Sequence, residues 1–288
     1  MRGVNHMTLK SSNLLDAVFG LAIGDALGVP YEFEARGTFQ CTGMTGYGTH
    51  NQPEGTWSDD TSMVLATLDS LKSNNGKILP SDMFEKFNHW LLYGDYTAHG
   101  EVLDAGIATC NALRTGKPQI GEYDNGNGSL MRILPLAFVL CTDDEIRAVS
   151  AITHGHWISM DACVIYVHVA RSLLAGMSID EIIPTLQYDK PFDRLHRLNQ
   201  LSAQEIKSTG YVVDTLEAAL WALSHKADDA DQSRNFRTTL LEAVNLGSDT
   251  DTIGAVTGGL AGIIYGLDEV TDWVKTLQNR EELERYLW

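Results

Sequence analysis

Apolar residues recur every three or four positions through most of the chain, which is the spacing of a helix with one buried face. The segments with the clearest period are 14–22, 63–71, 84–91, 164–174 and 213–223. Alternation at every second position, which marks a half-buried strand, is scarce. The pattern predicts an all-α fold with irregular segments at 36–57, 94–101, 117–128 and 187–209. No repeat or linker divides the chain, so we expect one domain over residues 1–288, with its core at about 14–266.

Glycine occurs at every fourth position in the first predicted helix and in the last long one. These glycines are Gly20, Gly24, Gly28, Gly254, Gly258 and Gly262. A glycine inside a helix costs ~1 kcal/mol relative to alanine, so several on one face indicate that another backbone comes close. Either the two helices pack on each other at the centre of the fold, which we favour, or each packs closely against another element.

Acidic residues stand directly before two apolar helical segments. In Ser58-Asp59-Asp60-Thr61 the serine is a good N-cap, and aspartate in a first turn suits the helix dipole. A helix cap therefore explains this motif when it is considered alone. A second motif, GSDTDTIG at 247–254, repeats the arrangement with Asp249, Asp251 and Thr252. Two such clusters at the starts of central helices favour a shared metal site over a pair of caps.

Carboxylate and hydroxyl oxygens are the ligands of hard cations such as Mg²⁺, Mn²⁺ and Ca²⁺. The second motif is not an EF-hand, because Ile253 occupies the third ligand position of that loop. No cluster of cysteine and histidine suits zinc. Four carboxylates that face one another repel strongly, and two divalent cations would offset that charge. The residues alone therefore predict a site for divalent cations.

The charge of the chain excludes several functions. Lys and Arg number 21 against 38 Asp and Glu, which gives a net charge of −17. Such a surface repels nucleic acids and anionic membranes. A small anion would bind only at a local feature that favours negative charge, such as a nest of backbone N–H groups. The apolar run at 253–266 is shorter than the ~20 residues that cross a bilayer. With no visible signal peptide and no CxxC pair, we expect reduced thiols, a cytoplasmic location and no membrane association.

Three further stretches carry weaker signals. DNGNGSLMR at 124–132 places Gly and Asn before a predicted helix start at 131–134, where backbone N–H groups can hold an anion. It lacks the Gly-Lys-Ser/Thr of a P-loop, and an ordinary glycine-rich turn explains it equally well. His154 and His156 precede another predicted helix, although a lone histidine is more often packed or solvated. Glu32, considered alone, is an ordinary loop acid.

Taken together, these stretches resemble the ADP-ribosylglycohydrolase family. In chain order they are GLAIGDALGVPYEFE, GTWSDDTSM, VLDAGIAT, NGNGSLMRILPLA, ITHGHWISMDA, STGYVVDTLEAALW and NLGSDTDTIGAVTGGLAG. They cover nearly the whole chain, and the paired acidic motifs with their glycine-rich flanks are specific as a set. The resemblance implies a compact, single-domain orthogonal helical bundle with a central binuclear metal cleft. It also implies an enzyme that cleaves the glycosidic bond between ADP-ribose and a modified side chain.

The resemblance also assigns roles to individual residues. The metal ligands would be Ser58, Asp59, Asp60, Asp249, Asp251 and Thr252, holding two divalent cations, Mg²⁺ or Mn²⁺. Ser58 departs from the family's usual threonine but keeps the hydroxyl. Glu32 and Asp104 would act in catalysis, and the choice of general acid/base between them stays open. Asn127, Gly128 and Ser129 would hold the diphosphate, His154 would line the ribose pocket, and Tyr211 would line the cleft.

The identity of the modified side chain is the main open point. Arginine and serine glycosides share the same ADP-ribose half, and the residues that face the leaving group lie in segments 36–54 and 94–101. Similarity to bacterial members favours an arginine-linked substrate, and the lack of an apolar surface stripe favours a monomer. Four alternatives remain: a hydrolase of another ADP-ribosyl conjugate, a non-catalytic module that binds ADP-ribose or a nucleotide, a metal-dependent phosphohydrolase, and a structural protein with simple helix caps. Loss of an acid at 59, 60, 249 or 251 would favour the binding module, and all four are present.

Overall fold

Helices form nearly all of the regular structure in the computed structural model, which describes residues 11–225 and 234–288. The α-helices are α1 (Ser11–Gly28), α2 (Asp59–Ser73), α3 (Pro80–Tyr93), α4 (Ile107–Thr115), α5 (Asp143–Ser150), α6 (Trp157–Leu174), α7 (Ile179–Ile182), α8 (Val212–Ser224), α9 (Phe236–Val244), α10 (Thr250–Tyr265), α11 (Thr271–Thr276) and α12 (Arg280–Arg285). Short 3-10 helices are Val29–Tyr31, Gly48–His50, Leu134–Phe138, Ile183–Thr185, Leu195–Gln200, Ala203–Glu205 and Asp268–Val270. Within the described ranges there are isolated β-bridges and no strand, so the all-α prediction is confirmed.

Helices α1 and α10 cross with their backbones in direct contact. A Cβ added to Gly24 would collide with the carbonyl of Gly254, and one added to Gly254 would collide with the carbonyl of Gly24. Gly20 and Gly258 repeat this mutual contact, and Gly28 faces the backbone at the start of α10. The two helices therefore run antiparallel, with the end of α1 beside the start of α10. The favoured arrangement of the glycine-rich helices is confirmed.

The crossed pair lies at the centre of the fold. Helix α10 is buried from Thr250 to Gly262, because it is small or apolar on every side and other helices surround it. Besides α1, it packs against α2, α6, α8 and α9. Helix α8 is likewise buried along almost its whole length. Since each fully buried Leu or Ile contributes about 1.5–3 kcal/mol, this core is the main source of stability.

Two helical segments, Asn13–Tyr31 and Trp157–Leu174, are long and apolar enough to cross a membrane by length and composition. In this fold, 83% and 56% of these segments are buried inside the protein. Apolar helices with neighbours on most sides are typical of the core of a large domain.

The structure corrects two details of the sequence interpretation. The helix start expected at 131–134 is a turn that leads into the 3-10 helix Leu134–Phe138. Pro135 has no N–H to bond the carbonyl of Met131, so an α-helix cannot continue through this point. Leu15 fits the apolar period of the segment 14–22, which predicts burial, but it is 39% exposed.

Candidate active site

The ends of α1, α2 and α10 meet at one place, because α1 and α10 run antiparallel in contact. Glu32 follows α1, the first acidic motif opens α2, and the second opens α10. Two groups of three acidic residues lie here. Within each group, one carboxylate oxygen from each residue lies within 4.8 Å of those from the other two. The groups are Asp25, Asp60 and Asp251, and Glu32, Asp249 and Asp251. Asp251 belongs to both groups and so lies at the centre of the cluster.

Asp60 joins the two acidic motifs directly. Its Oδ2 accepts hydrogen bonds from Ser58 Oγ at 3.1 Å and from Thr252 Oγ1 at 3.4 Å. Its Oδ1 is buried without a hydrogen-bond partner. Such an oxygen costs stability unless something binds it, and an all-oxygen set of this kind fits a hard divalent cation. The residues present therefore fit the metal centre that the sequence predicts.

Asp25 is a residue of the cluster that the sequence analysis missed. It is fully buried inside α1, and its carboxylate accepts hydrogen bonds from the start of α2. The donors are Ser58 N–H at 2.9 and 3.0 Å, Thr61 N–H at 3.1 Å and Thr61 Oγ1 at 2.6 Å. Free N–H groups and the dipole at a helix start favour a carboxylate in this position. Asp25 thus fixes the first acidic motif against the second.

Burial and mutual repulsion raise the pKa values of these acids. The pKa of Asp60 is raised mainly by burial and then by repulsion from Asp25. The pKa of Asp251 is raised mainly by burial and then by repulsion from Glu32. The pKa of Glu32 is raised by burial and then by Asp104. Positive charge placed inside the cluster reverses this effect, because it favours the ionised carboxylates.

A cavity of about 190 Å³ opens beside the acidic cluster. Glu32, Asp59, Asp104 and Asp249 line it, together with the loop at 127–128. Glu32 is only 4% exposed and its carboxylate contacts His50 Nε2, so it is not the solvated loop acid that the residues alone suggested. Both candidate catalytic acids therefore face the same space as the candidate metal ligands.

The glycine- and asparagine-rich loop reaches the cluster through Asn127. The Asn127 Nδ2 group donates to Asp249 Oδ2 at 2.6 Å and to Thr215 Oγ1 at 2.9 Å, so the side chain orients a candidate metal ligand. Gly128 lines the cavity with its backbone. The Ser129 hydroxyl is fully buried and bonds to Ser150 Oγ at 2.9 Å. The whole residue is buried and does not line the cavity, so Ser129 packs behind the loop.

His154 is buried beneath this loop, next to Gly128, where an added Cβ would lie 2.9 Å from the ring Cε1. Its Nδ1 lies 2.8 Å from Thr153 Oγ1, which accepts a hydrogen bond from the buried Arg132. The Thr153 hydroxyl therefore connects the ring to the Arg132 guanidinium. Burial and the Arg132 charge lower the pKa of His154 to about 3, so the ring is neutral. His156 instead caps α6.

Tyr211 lies at a second cavity, of about 490 Å³. Its walls include Tyr123, Ile158 and the backbone of Gly126. Gly210 lines both cavities, so they adjoin. One is lined by acids and the other is mostly apolar with two tyrosines, which provides separate environments for the two ends of an elongated ligand.

The fold is that of an ADP-ribosylglycohydrolase. The family model described as ADP-ribosylglycohydrolase matches residues 6–287, and the chain belongs to this family. Its members are hydrolases that release ADP-ribose, and this chain is an enzyme of that class.

Named relatives agree with this assignment. The chain is similar to the ADP-ribosylarginine hydrolase Tri1 of Pseudomonas putida, with 33% identity over 96% of this chain and 78% of the relative. It is also similar to the ADP-ribosyl-[dinitrogen reductase] glycohydrolase of Rhodospirillum rubrum, with 32% identity over 94% and 92% of the two chains. A solved structure named as an ADP-ribosylglycohydrolase-related protein complex superimposes with a TM-score of 0.77 and 32% identity, covering 98% of this chain and 97% of that one.

Replacement of Asp25 by asparagine is expected to lower kcat about 100-fold, the effect of displacing reactive groups by about 1 Å. The asparagine keeps the size of the side chain but turns an N–H₂ donor toward the N–H groups of Ser58 and Thr61, which currently donate to Asp25. The first acidic motif would then shift away from the second. The measurement is release of ADP-ribose at saturating substrate and cation.

Asp16→Asn is the matched control, because Asp16 lies at the opposite end of α1 and does not reach the cluster. It should retain the activity of the original protein. If Asp25→Asn stays within twofold of that control, Asp25 does not position the motif.

Proposed function

We propose that this chain hydrolyses the N-glycosidic bond between ADP-ribose and an arginine side chain, with two divalent cations, Mg²⁺ or Mn²⁺. The observation that carries the proposal is the pair of carboxylate groups that share Asp251 beside a cavity lined by Asn127 and Gly128. Two overlapping groups of ligands suit two neighbouring cations. The cations would be held by Ser58, Asp59, Asp60, Asp249, Asp251 and Thr252, with Glu32 and Asp25 beside them.

The two adjoining cavities match the two ends of ADP-ribose. In our proposal the distal ribose lies over the acids, and the diphosphate lies against the backbone of Gly128, which lines the cavity. His154 supports the 127–129 loop from below. The adenosine end extends past Gly210 into the second cavity, where Tyr211 and Tyr123 offer aromatic surface.

Two arguments favour arginine as the acceptor. Glu32, Asp59 and Asp104 line the cavity, and the carboxylate of Asp104, which is exposed and is not among the proposed cation ligands, complements a cationic guanidinium better than a neutral hydroxyl. In addition, relatives from Pseudomonas putida and Serratia proteamaculans, 33% and 31% identical, are named ADP-ribosylarginine hydrolases.

The chain's own residues would position the substrate and move the proton. Bound cations would supply ligand positions for the ribose hydroxyls and a more acidic water. Glu32, buried beside Asp249 and Asp251, is placed to accept a proton from water at the cluster. Asp104, exposed at the cavity, is placed to donate a proton to the departing group. The carboxylates also stabilise the positive charge of an oxocarbenium-like transition state.

Hydrolysis of two peptides, one ADP-ribosylated on arginine and one on serine, tests the proposal. Each is incubated with Mg²⁺, with Mn²⁺ and with EDTA, and released ADP-ribose is quantified. We expect release from the arginine peptide with either cation, and none with EDTA. Activity on the serine peptide should be at least about tenfold lower, because its departing group carries no positive charge.

Each other outcome has a defined meaning. Release from serine alone would overturn the linkage that we propose but not the hydrolase. Release in EDTA would overturn the role of the cations. If cation binding is detected by calorimetry but neither peptide is cleaved, both the proposed substrate and its side-chain linkage are wrong.

A further inference from the structure

Phe33 has an unusual conformation and an unusual exposure. Its φ is 67°, in the left-handed region that aromatic residues rarely occupy, and 71% of the residue is exposed. A large apolar side chain gains little from such exposure, and a non-glycine residue is strained at this φ. Strain of this kind persists where the surrounding structure fixes it, often at functional sites.

A short backbone pairing fixes Phe33 between the two halves of the metal site. Its N–H donates to the carbonyl of Ser248 at 2.7 Å, and the N–H of Ser248 donates to the carbonyl of Glu34 at 2.7 Å. Ser248 also has a positive φ, of 68°. Phe33 follows Glu32 and Ser248 precedes Asp249, so the pairing aligns two acids of the cluster. It also fixes the position of the aromatic ring.

Phe33 borders the cavity in which our proposed function places the departing side chain. Phe33 lines the acidic cavity together with Glu32, Asp59 and Asp104. The ring of His50 lies 6.1 Å away at an interplanar angle of 53°, so it is tilted and does not stack, and no other ring among residues 11–225 and 234–288 pairs with Phe33. An uncovered aromatic face beside several carboxylates is the environment that a planar cation prefers.

We propose that Phe33 determines the specificity for the acceptor: its ring stacks on the guanidinium of ADP-ribosylated arginine while the neighbouring acids face the positive charge. This inference rests on the proposed function, since it names the residue that distinguishes arginine from other acceptors. A serine acceptor has neither a planar group nor a charge. Phe33 is therefore expected to act on the departing half of the substrate and not on the ADP-ribose half.

The test compares Phe33→Leu, Phe33→Tyr and Phe33→Gly with the original protein. For the arginine-linked peptide, Phe33→Leu should lower kcat/KM by roughly 5- to 30-fold, and Phe33→Tyr should restore most of it. The inhibition constant of free ADP-ribose, which lacks the guanidinium, should not change in either variant. Phe33→Gly should lose as much activity as Phe33→Leu. Its urea unfolding midpoint should stay the same or rise, because glycine tolerates a positive φ.

Tyr93 provides the control for loss of an exposed aromatic ring, because it is 68% exposed and lines neither cavity. Tyr93→Leu should leave kcat/KM unchanged. Equal loss of ADP-ribose affinity and of arginine-peptide activity in Phe33→Leu would overturn the inference, as would activity equal to the original protein. If the original protein itself does not cleave the arginine peptide, the proposed function fails and the inference fails with it.

Discussion

Replacing Gly24 with alanine is expected to prevent stable folding. The added methyl group would collide with the backbone carbonyl of Gly254, and backbone at the centre of two packed helices cannot move aside locally. Helices α1 and α10 would have to separate, which would open the core and pull apart the two acidic motifs. We expect a loss of more than about 4 kcal/mol, which is a large part of the stability of a typical domain.

Urea unfolding and soluble yield measure this effect. Gly43→Ala is the matched control: Gly43 has no positive φ, and the nearest atom to an added Cβ is Trp273 Nε1 at 3.9 Å. The control should unfold at nearly the same urea concentration as the original protein. Equal midpoints for Gly24→Ala and Gly43→Ala would mean that the two helices are not in backbone contact.

Asp251→Asn is expected to reduce hydrolysis by roughly 10³-fold or more, because it removes a charged ligand from both carboxylate groups at once. The same change should have the opposite effect on the stability of the protein in EDTA. One fewer carboxylate in a buried, mutually repelling cluster stabilises the form without cations. Saturating Mn²⁺ should raise the Tm of the original protein by about 5 °C and that of the variant much less.

Thermal unfolding with EDTA and with Mn²⁺, together with the peptide assay, distinguishes these effects. Asp268→Asn is the control, since Asp268 is exposed and lies beyond the other end of α10. It should behave like the original protein in all three measurements. A variant at Asp251 that keeps both its activity and its Mn²⁺-dependent increase in Tm would show that cations bind elsewhere.

The helices and their central contact could be predicted because their signals are local in the sequence. A period of three to four residues identifies a helical face wherever it occurs, and glycine spacing of four has few explanations other than backbone approach. The prediction of a helix start at 131–134 was wrong, because it rested on the apolar pattern alone. Pro135 cannot donate the hydrogen bond that an α-helix needs at this point.

The acidic site could be predicted only in part. The two motifs were detectable because each combines acids, hydroxyls and a helix start within a few residues. Asp25 gave no such signal, because the N–H groups that it binds lie 33 and 36 positions away. The one clue was an isolated acid within an apolar helix, since an acid that is buried needs partners.

The features around Phe33 were also beyond sequence analysis. Its positive φ follows from the pairing with Ser248, which comes from the other end of the chain. The neutral state of His154 likewise depends on Arg132 and on burial, neither of which a single-sequence pattern reveals. Such features follow from tertiary contacts, so they become visible only when the fold is known.

The contact between α1 and α10 also determines when the enzyme can become active. Thr250 Oγ1 donates to the carbonyl of Gly28 across 222 positions of the chain. During translation at about 5–20 residues per second, roughly 10–45 s separate the synthesis of these two partners. Throughout that interval the nascent chain has α1 without its central neighbour, and contacts so distant in sequence slow folding. The acidic cluster therefore cannot assemble on the ribosome before the second acidic motif emerges, and until then the apolar first helix lacks its central partner.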